Sequence, residues 1–417
     1  MKRLENIFLF VCIFVGLFIF SFYIYRIIFP ECSLLGYTLC AALGEDFYPL
    51  YQAGHNVLTG QYVYGPLAGN DLVAPYFVEF KYLPITALIW GPFFRLMSHN
   101  AEYAYHSYLT FSIMAHLQGT FFIWLIWKKQ KASKYILGLA LLLWLGFFAL
   151  NSEWRMGQFN DIAGVFFLGF LTGIIYEKKY LSPLLWTLSL SWKPLALFAA
   201  PFFLKSKYKI GLLFFLTFIL GISSFYILYF QLKDPTSITT FLNTVLLTGN
   251  MEGWYIGFID NFSVNSFIAE IFYDKSPIIY NQLSRAFSFL IIAFLGIVTL
   301  GTKLKTKGNE VLYILFTVTS FLVFYKYMWE SLLNFWAPIV VVCFIIGKEK
   351  WEKVLMGLCG LVLATPSLYY LWFFNQTDIM GFLLISEKAL PQLIVYVYLL
   401  YKLSKRFHDS LRSPIIA

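Results

Sequence analysis

Long apolar runs, broken by short polar and basic stretches, make up nearly the whole chain. Residues 7–29, 210–230 and 283–300 each approach the roughly 20 residues that a helix needs to cross hydrocarbon. None of these runs shows the period-two alternation of a membrane β-barrel strand. The pattern therefore predicts an all-α, polytopic transmembrane protein.

The polar punctuation predicts the topology. Basic clusters fall at residues 128–134, 177–179, 205–209, 303–307, 348–353 and 402–406. If all are cytoplasmic, as the positive-inside rule expects, the chain between neighbouring clusters crosses an even number of times. Spans over 135–150 and 162–176 then flank a loop at 151–161, and spans over 210–230 and 283–300 flank the polar segment 231–282. Residues 312–324 pair with 332–346, and 354–374 with 389–403. Residues 181–204 are too short for two spans and are interrupted by Trp192-Lys193-Pro194, which predicts a pair of short or re-entrant helices. Residues 83–96, rich in Pro and Gly, read as an interfacial or re-entrant element. The expectation is about ten full spans plus the broken pair, with two long outer loops, 30–102 and 231–282. Residues 1–282 form the module carrying those loops and 283–417 supply C-terminal helices, all within one integral membrane domain.

Composition agrees. Of 417 residues, 59% are hydrophobic, 21% aromatic and 13% charged, with mean hydropathy +0.70; a soluble domain carries about 25% charged residues. The net charge of +9 sits in the short clusters between apolar runs, which argues for membrane topology and against nucleic acid. The first segment reads as a signal anchor behind Lys2 and Arg3, too long for a cleaved leader. Cys32 and Cys40 share the first outer loop and are compatible with a disulfide or with two free thiols.

Few residues carry chemistry. Asp46 stands near the start of the first outer loop, beside Glu45 and ahead of Tyr48 and Tyr51. A partly desolvated carboxylate at a membrane rim suits a general base, although a loop carboxylate is more commonly just solvated. The segment Arg155-Met156-Gly157-Gln158-Phe159-Asn160-Asp161 could be no more than a turn. Yet the Gln158 and Asn160 amides suit sugar hydroxyls and Arg155 suits a phosphate. Lys193 is the most informative position, because a lysine inside an apolar stretch is costly unless paired or wet. Lys81 reads as an interface anchor within reach of a headgroup. Asn261, Ser263 and Glu330 are weaker polar candidates. The chain has no Walker loop, dinucleotide-binding glycine motif, metal-ligand spacing or nucleophile elbow, so an enzyme of this make-up would need a lipid-borne, activated substrate.

The ordered set Asp46-Phe47, Tyr48, Tyr51, Gly60, Tyr62-Val63-Tyr64, Tyr82-Leu83-Pro84, Gly157-Gln158-Phe159-Asn160, Lys193-Pro194 and Asn261-Phe262-Ser263 resembles glycosyltransferase family 87. These are the polyprenol-phosphate-mannose-dependent mannosyltransferases of the GT-C superfamily. The resemblance covers residues 1–265; later helices match in hydropathy. It implies a metal-free, inverting hexose transfer from a polyprenyl-phosphate donor to a lipid or glycan acceptor, on the extracytoplasmic face of a prokaryotic plasma membrane. Asp46 falls at the catalytic-base position. Lys193, Arg155 and Lys81 would hold the donor phosphate. Tyr48, Tyr51, Gln158, Asn160, Asn261, Ser263 and Glu330 would meet sugar or acceptor. The chain departs from the family pattern in reading Tyr-Leu-Pro for Tyr-Pro-Pro, and in carrying Ser331 where many members have histidine. A transporter or flippase is the rival reading: it explains Lys193 and the broken helices, but not the long aromatic outer loops.

Overall fold

Apolar segments without alternation fold here as helices, and how long each helix runs decides what it can span. The computed structural model of the chain describes residues 2–29, 43–247, 263–264, 277–301, 304, 306–325, 328, 330–366 and 378–412. Among the described residues all regular structure is helical. Among the described residues four helical stretches are long and apolar enough to cross a membrane: Lys2–Ile28, Ala101–Gln130, Lys134–Met156 and Ile210–Gln231.

That number replaces the expected ten. Asn160–Ile175, Pro194–Lys205, Phe289–Gly301 and Glu330–Ile346 are apolar but only 10–17 residues long. At about 1.5 Å per residue such helices fall short of a hydrocarbon core of about 30 Å. Two of them find their apolar surroundings in other helices instead, whereas Phe289–Gly301 leaves Phe289, Leu290, Ile292, Ile297 and Leu300 exposed. Nearly every residue of Asn160–Ile175 and Trp336–Ile346 is buried, as expected of helices that are hydrophobic all round and lie at the centre of a bundle.

We number the helices of the first half α1 (Lys2–Ile28), α2 (Phe47–Leu58), α3 (Pro84–Met97), α4 (Ala101–Gln130), α5 (Lys134–Leu145), α6 (Ala149–Met156), α7 (Asn160–Ile175), α8 (Leu181–Trp192) and α9 (Ala200–Lys205). The segment expected as the first outer loop thus holds α2 and α3, and α3 occupies the element expected at 83–96. In the expected loop 151–161, residues 151–156 are helical and belong to α6; only 157–159 form a connection. The helix Pro277–Gly301 begins inside the expected second loop. Cys32, Cys40 and Asn261 lie outside the described residues.

Small residues set the helix contacts. A Cβ on Gly54 of α2 would sit 2.2 Å from the carbonyl oxygen of Gly91 on α3, and one on Gly173 of α7 would meet Ser182 Oγ of α8 at 2.4 Å. Close backbone approach of this kind is how helices associate where the solvent supplies no hydrophobic drive. The broken segment is as expected: α8 ends at Trp192, a 3₁₀ turn runs over Pro194–Ala199, and α9 follows. Proline disfavours the α conformation in the residue before it, and Lys193 accordingly lies extended, at φ −147° and ψ 138°.

Candidate active site

The site is built where the end of α6 meets the turn leading into α2. The last carbonyls of a helix have no partners within it. Here the amides of Gly44 and Asp46 donate to Arg155 O and Met156 O at 2.8 and 2.7 Å. From α4, the Tyr105 hydroxyl donates to Trp154 O at 2.5 Å and the Tyr108 hydroxyl to Gln158 O. Gly157 closes α6 in the left-handed region at φ +72°, and a Cβ there would lie 2.6 Å from Phe47 Cβ. Only glycine serves both demands.

This clamp presents Asp46. The residue occupies the N-cap of α2, yet its side chain makes no capping bond. Its Oδ2 instead accepts from Gln158 Nε2. The other end of that amide, Oε1, accepts from Lys193 Nζ at 2.6 Å. Lys193 Nζ also donates to Asn160 Oδ1 at 2.8 Å, and Asn160 Nδ2 to Glu153 Oε2 at 2.8 Å. An ammonium can only donate and a carboxylate can only accept. Both amides are therefore fixed with oxygen toward the lysine and nitrogen toward an acid.

Glu153 anchors the inner end. Its carboxylate also accepts from the amide of Asp161 at 2.8 Å and from Asn334 Nδ2 at 3.2 Å, and the residue is fully buried. Among the described residues its carboxylate meets three N–H donors and no acceptor, the surroundings that favour a carboxylate over its acid. One cation thus stands between two acids, each reached through an amide. Lys193 further lies over the Tyr82 ring, 5.5 Å from its centroid, and among the described residues two of its three N–H groups have hydrogen-bond acceptors.

Burial pushes the Asp46 carboxyl above the usual carboxylate range. The Lys193 charge, the Gln158 hydrogen bond and more distant Lys81 pull it back, while Glu45 adds to the rise. A carboxylate that ordinary water would leave weakly basic becomes a better proton acceptor in this setting.

A second buried polar pair adjoins the first. His116 Nδ1 lies 2.8 Å from Asp161 Oδ1, and Nε2 lies 3.2 Å from Trp144 O. The imidazole is held flat on the Trp144 indole, at 4.5 Å and 6°.

Among the sequence-predicted residues, Asp46, Gln158, Asn160 and Lys193 come together. Lys81 is exposed and acts on Asp46 through charge alone. Tyr51 is fully buried, its hydroxyl donating to His99 O at 2.8 Å and accepting from Arg95 at 3.0 Å. It braces α2 against the end of α3. Tyr48 packs edge-on against Tyr76. The Arg155 carbonyl accepts from Gly44 in the clamp, and its side chain lies within electrostatic reach of Tyr105. Ser263 is buried, and Glu330 opens a 3₁₀ turn within electrostatic reach of Lys388. Glu153, His116 and Asn334 are missed by sequence reasoning. The signal for His116 is the one that marks Lys193, an ionisable group in an apolar stretch; Glu153 stands in a polar segment and carries no such signal. Among the described residues no three His, Cys, Asp or Glu side chains converge as metal ligands would.

No protein-family model matches the chain, and no curated protein matches it significantly.

Proposed function

We propose that the chain is a membrane glycosyltransferase of GT-C type, moving a hexose, mannose by resemblance, from a polyprenyl-phosphate donor to an extracytoplasmic lipid or glycan acceptor. The observation that carries this reading is the chain of contacts from Asp46 through Gln158 to Lys193, which sets a half-buried base beside a cation with a further N–H to give.

In the proposed reaction Asp46 accepts the proton of the acceptor hydroxyl as its oxygen attacks the anomeric carbon. The bond from that carbon to the phosphate oxygen breaks, and the electron pair leaves on the polyprenyl phosphate. Attack from the opposite face inverts the anomeric centre. The remaining N–H of Lys193 holds the developing phosphate charge, while Gln158 and Asn160 keep the ammonium in place. The leaving phosphate monoester needs no strong acid. No metal or other cofactor enters this scheme; the partners are donor, acceptor and bilayer.

The test offers purified protein a panel of polyprenyl-phosphate sugars, with candidate acceptors, and follows donor loss, product and anomeric configuration. Asp46→Asn keeps size and hydrogen bonding but cannot take the proton, so turnover should fall at least about 100-fold. Lys193→Arg keeps the charge with altered geometry and should retain partial donor use. A wild-type rate in Asp46→Asn, a retained configuration, or donor crossing the membrane unconsumed would refute the transferase; the last would favour a flippase.

A further inference from the structure

At the other end of α4 from Asp46, a cavity of about 210 Å³ is lined by Lys129, Lys307, Lys348, Lys402 and Arg406, with no carboxylate in its wall. The five cations come from four separate segments: the end of α4, the first turn of the helix Lys307–Phe324, the turn after Trp336–Ile346, and the helix Asp378–Arg412. Basic loops at one membrane face follow from topology. Their convergence on one small cavity does not, because like charges repel unless something negative offsets them.

The neighbouring acids do so only in part. Glu352 pairs with Lys402 at 2.5 Å, and its other oxygen accepts from the Lys348 amide at 2.8 Å. Glu177 lies 3.4 Å from Lys307 and 3.0 Å from Lys207. Among the described residues Lys129 and Lys348 have no ion-pair partner; Lys129 lies over the Tyr176 ring, 5.4 Å from its centroid. Arg406 Nη1 donates to Asn309 Oδ1 at 2.6 Å, and a Cβ at Gly308 would come within 3.0 Å of it, so glycine there lets the guanidinium lie close to the helix. Fixed in this way, the planar fork suits an oxyanion.

We propose that this cavity is an anion site for a phosphate-bearing group of headgroup size. Pockets for drug-sized ligands measure about 300–1,000 Å³, so the cavity suits a phosphodiester or inorganic phosphate and is too small for a nucleotide. Cations set around it on several sides match the several oxygens of a phosphate. The source is either the headgroup of an anionic phospholipid, which basic clefts between membrane helices can recognise, or free phosphate. The inference is independent of the transfer reaction, since it concerns the opposite membrane face.

The test uses the full chain in a neutral detergent at constant ionic strength, titrated with short-chain phosphatidylglycerol, short-chain phosphatidylcholine or inorganic phosphate. Thermal unfolding and native mass spectrometry are read together, the second counting bound lipid whatever the stability of a variant. Phosphatidylglycerol should bind and stabilise the wild type beyond phosphatidylcholine. Lys129→Gln/Lys348→Gln removes two cations outside any ion pair and should weaken binding at least about tenfold. Lys233→Gln, outside the cavity, should leave it unchanged. Binding of both phosphatidylglycerol and inorganic phosphate supports a phosphate site open to either source; phosphatidylglycerol alone supports the lipid headgroup, and inorganic phosphate alone the soluble anion. No preference for either anion over phosphatidylcholine, or equal binding in the double variant, overturns the proposal.

Discussion

At the scale of single residues, Asp46 holds the sharpest expectation, because burial affects its activity and its stability with opposite signs. Its folded-state pKa lies above the ordinary carboxylate value, with burial as the first cause. The folded chain therefore binds this proton more tightly than the unfolded chain does. The stabilisation from that binding is fully present below the unfolded pKa and is lost as pH rises through the raised folded value. Activity as a base, in the proposed reaction, runs the other way and falls as pH drops through the same range. Acidification from neutral pH should thus lower turnover while Asp46's contribution to stability grows. Asp46→Asn removes a desolvated charge and can still accept from Gln158. It should melt no lower than wild type at neutral pH, and its stability should lose the part of the pH dependence that Asp46 supplies. Parallel melting curves and rate profiles for the two proteins check this; a large drop in the melting temperature of Asp46→Asn at neutral pH would contradict it.

At the scale of elements, the join between α6 and the turn before α2 controls where Asp46 points, and two glycines separate its causes. Gly60 and Gly157 both sit at positive φ, +73° and +72°, but nothing lies within 4 Å of a Cβ at Gly60, whereas Phe47 Cβ lies 2.6 Å from one at Gly157. Gly60→Ala carries only the backbone cost, about 1–2 kcal/mol, and should keep its activity. Gly157→Ala adds a clash that moves Phe47, the neighbour of Asp46, and should lose both stability and turnover. Equal behaviour of the two variants would show that the clamp does not hold the base. Of these elements, the break at Lys193-Pro194 is legible in the sequence because proline acts on its immediate neighbour, and α3 because its proline and glycine mark off a short apolar run. The helical course of residues 151–156 is not, since a two-turn amphipathic segment with Asn, Ser, Glu and Arg reads as a loop until Trp154 and Glu153 are seen buried. The inward direction of Tyr51 is not legible for a related reason. Five residues beyond Asp46, at about 100° per residue, it has turned about 140° round the helix and faces the end of α3.

At the scale of the whole molecule, hydropathy finds apolar segments but does not distinguish those facing lipid from those facing protein. This is why the all-helical class is legible while, among the described residues, four membrane-length helices stand in place of ten. The two charged sites lie toward opposite ends of α4: Tyr108 adjoins Gln158 and Lys129 lines the cationic cavity. The roughly 21 residues between them rise about 30 Å, the depth of a hydrocarbon core. Asn70 and Lys131, both exposed, report on the two faces. In a Cys32→Ser/Cys40→Ser background, Asn70→Cys should react with an impermeant maleimide from outside intact cells, and Lys131→Cys only after permeabilisation. Reaction of both from one side would overturn the topology.

The close contact of Gly157 with Phe47 also bears on how such a chain can evolve. Every single-base change in a glycine codon either leaves glycine, stops translation or introduces a residue with a Cβ, and the space for that carbon is taken. Other positions can change one codon at a time, but every first step at position 157 meets Phe47. Among descendants of this sequence, whatever else has changed, that glycine should persist.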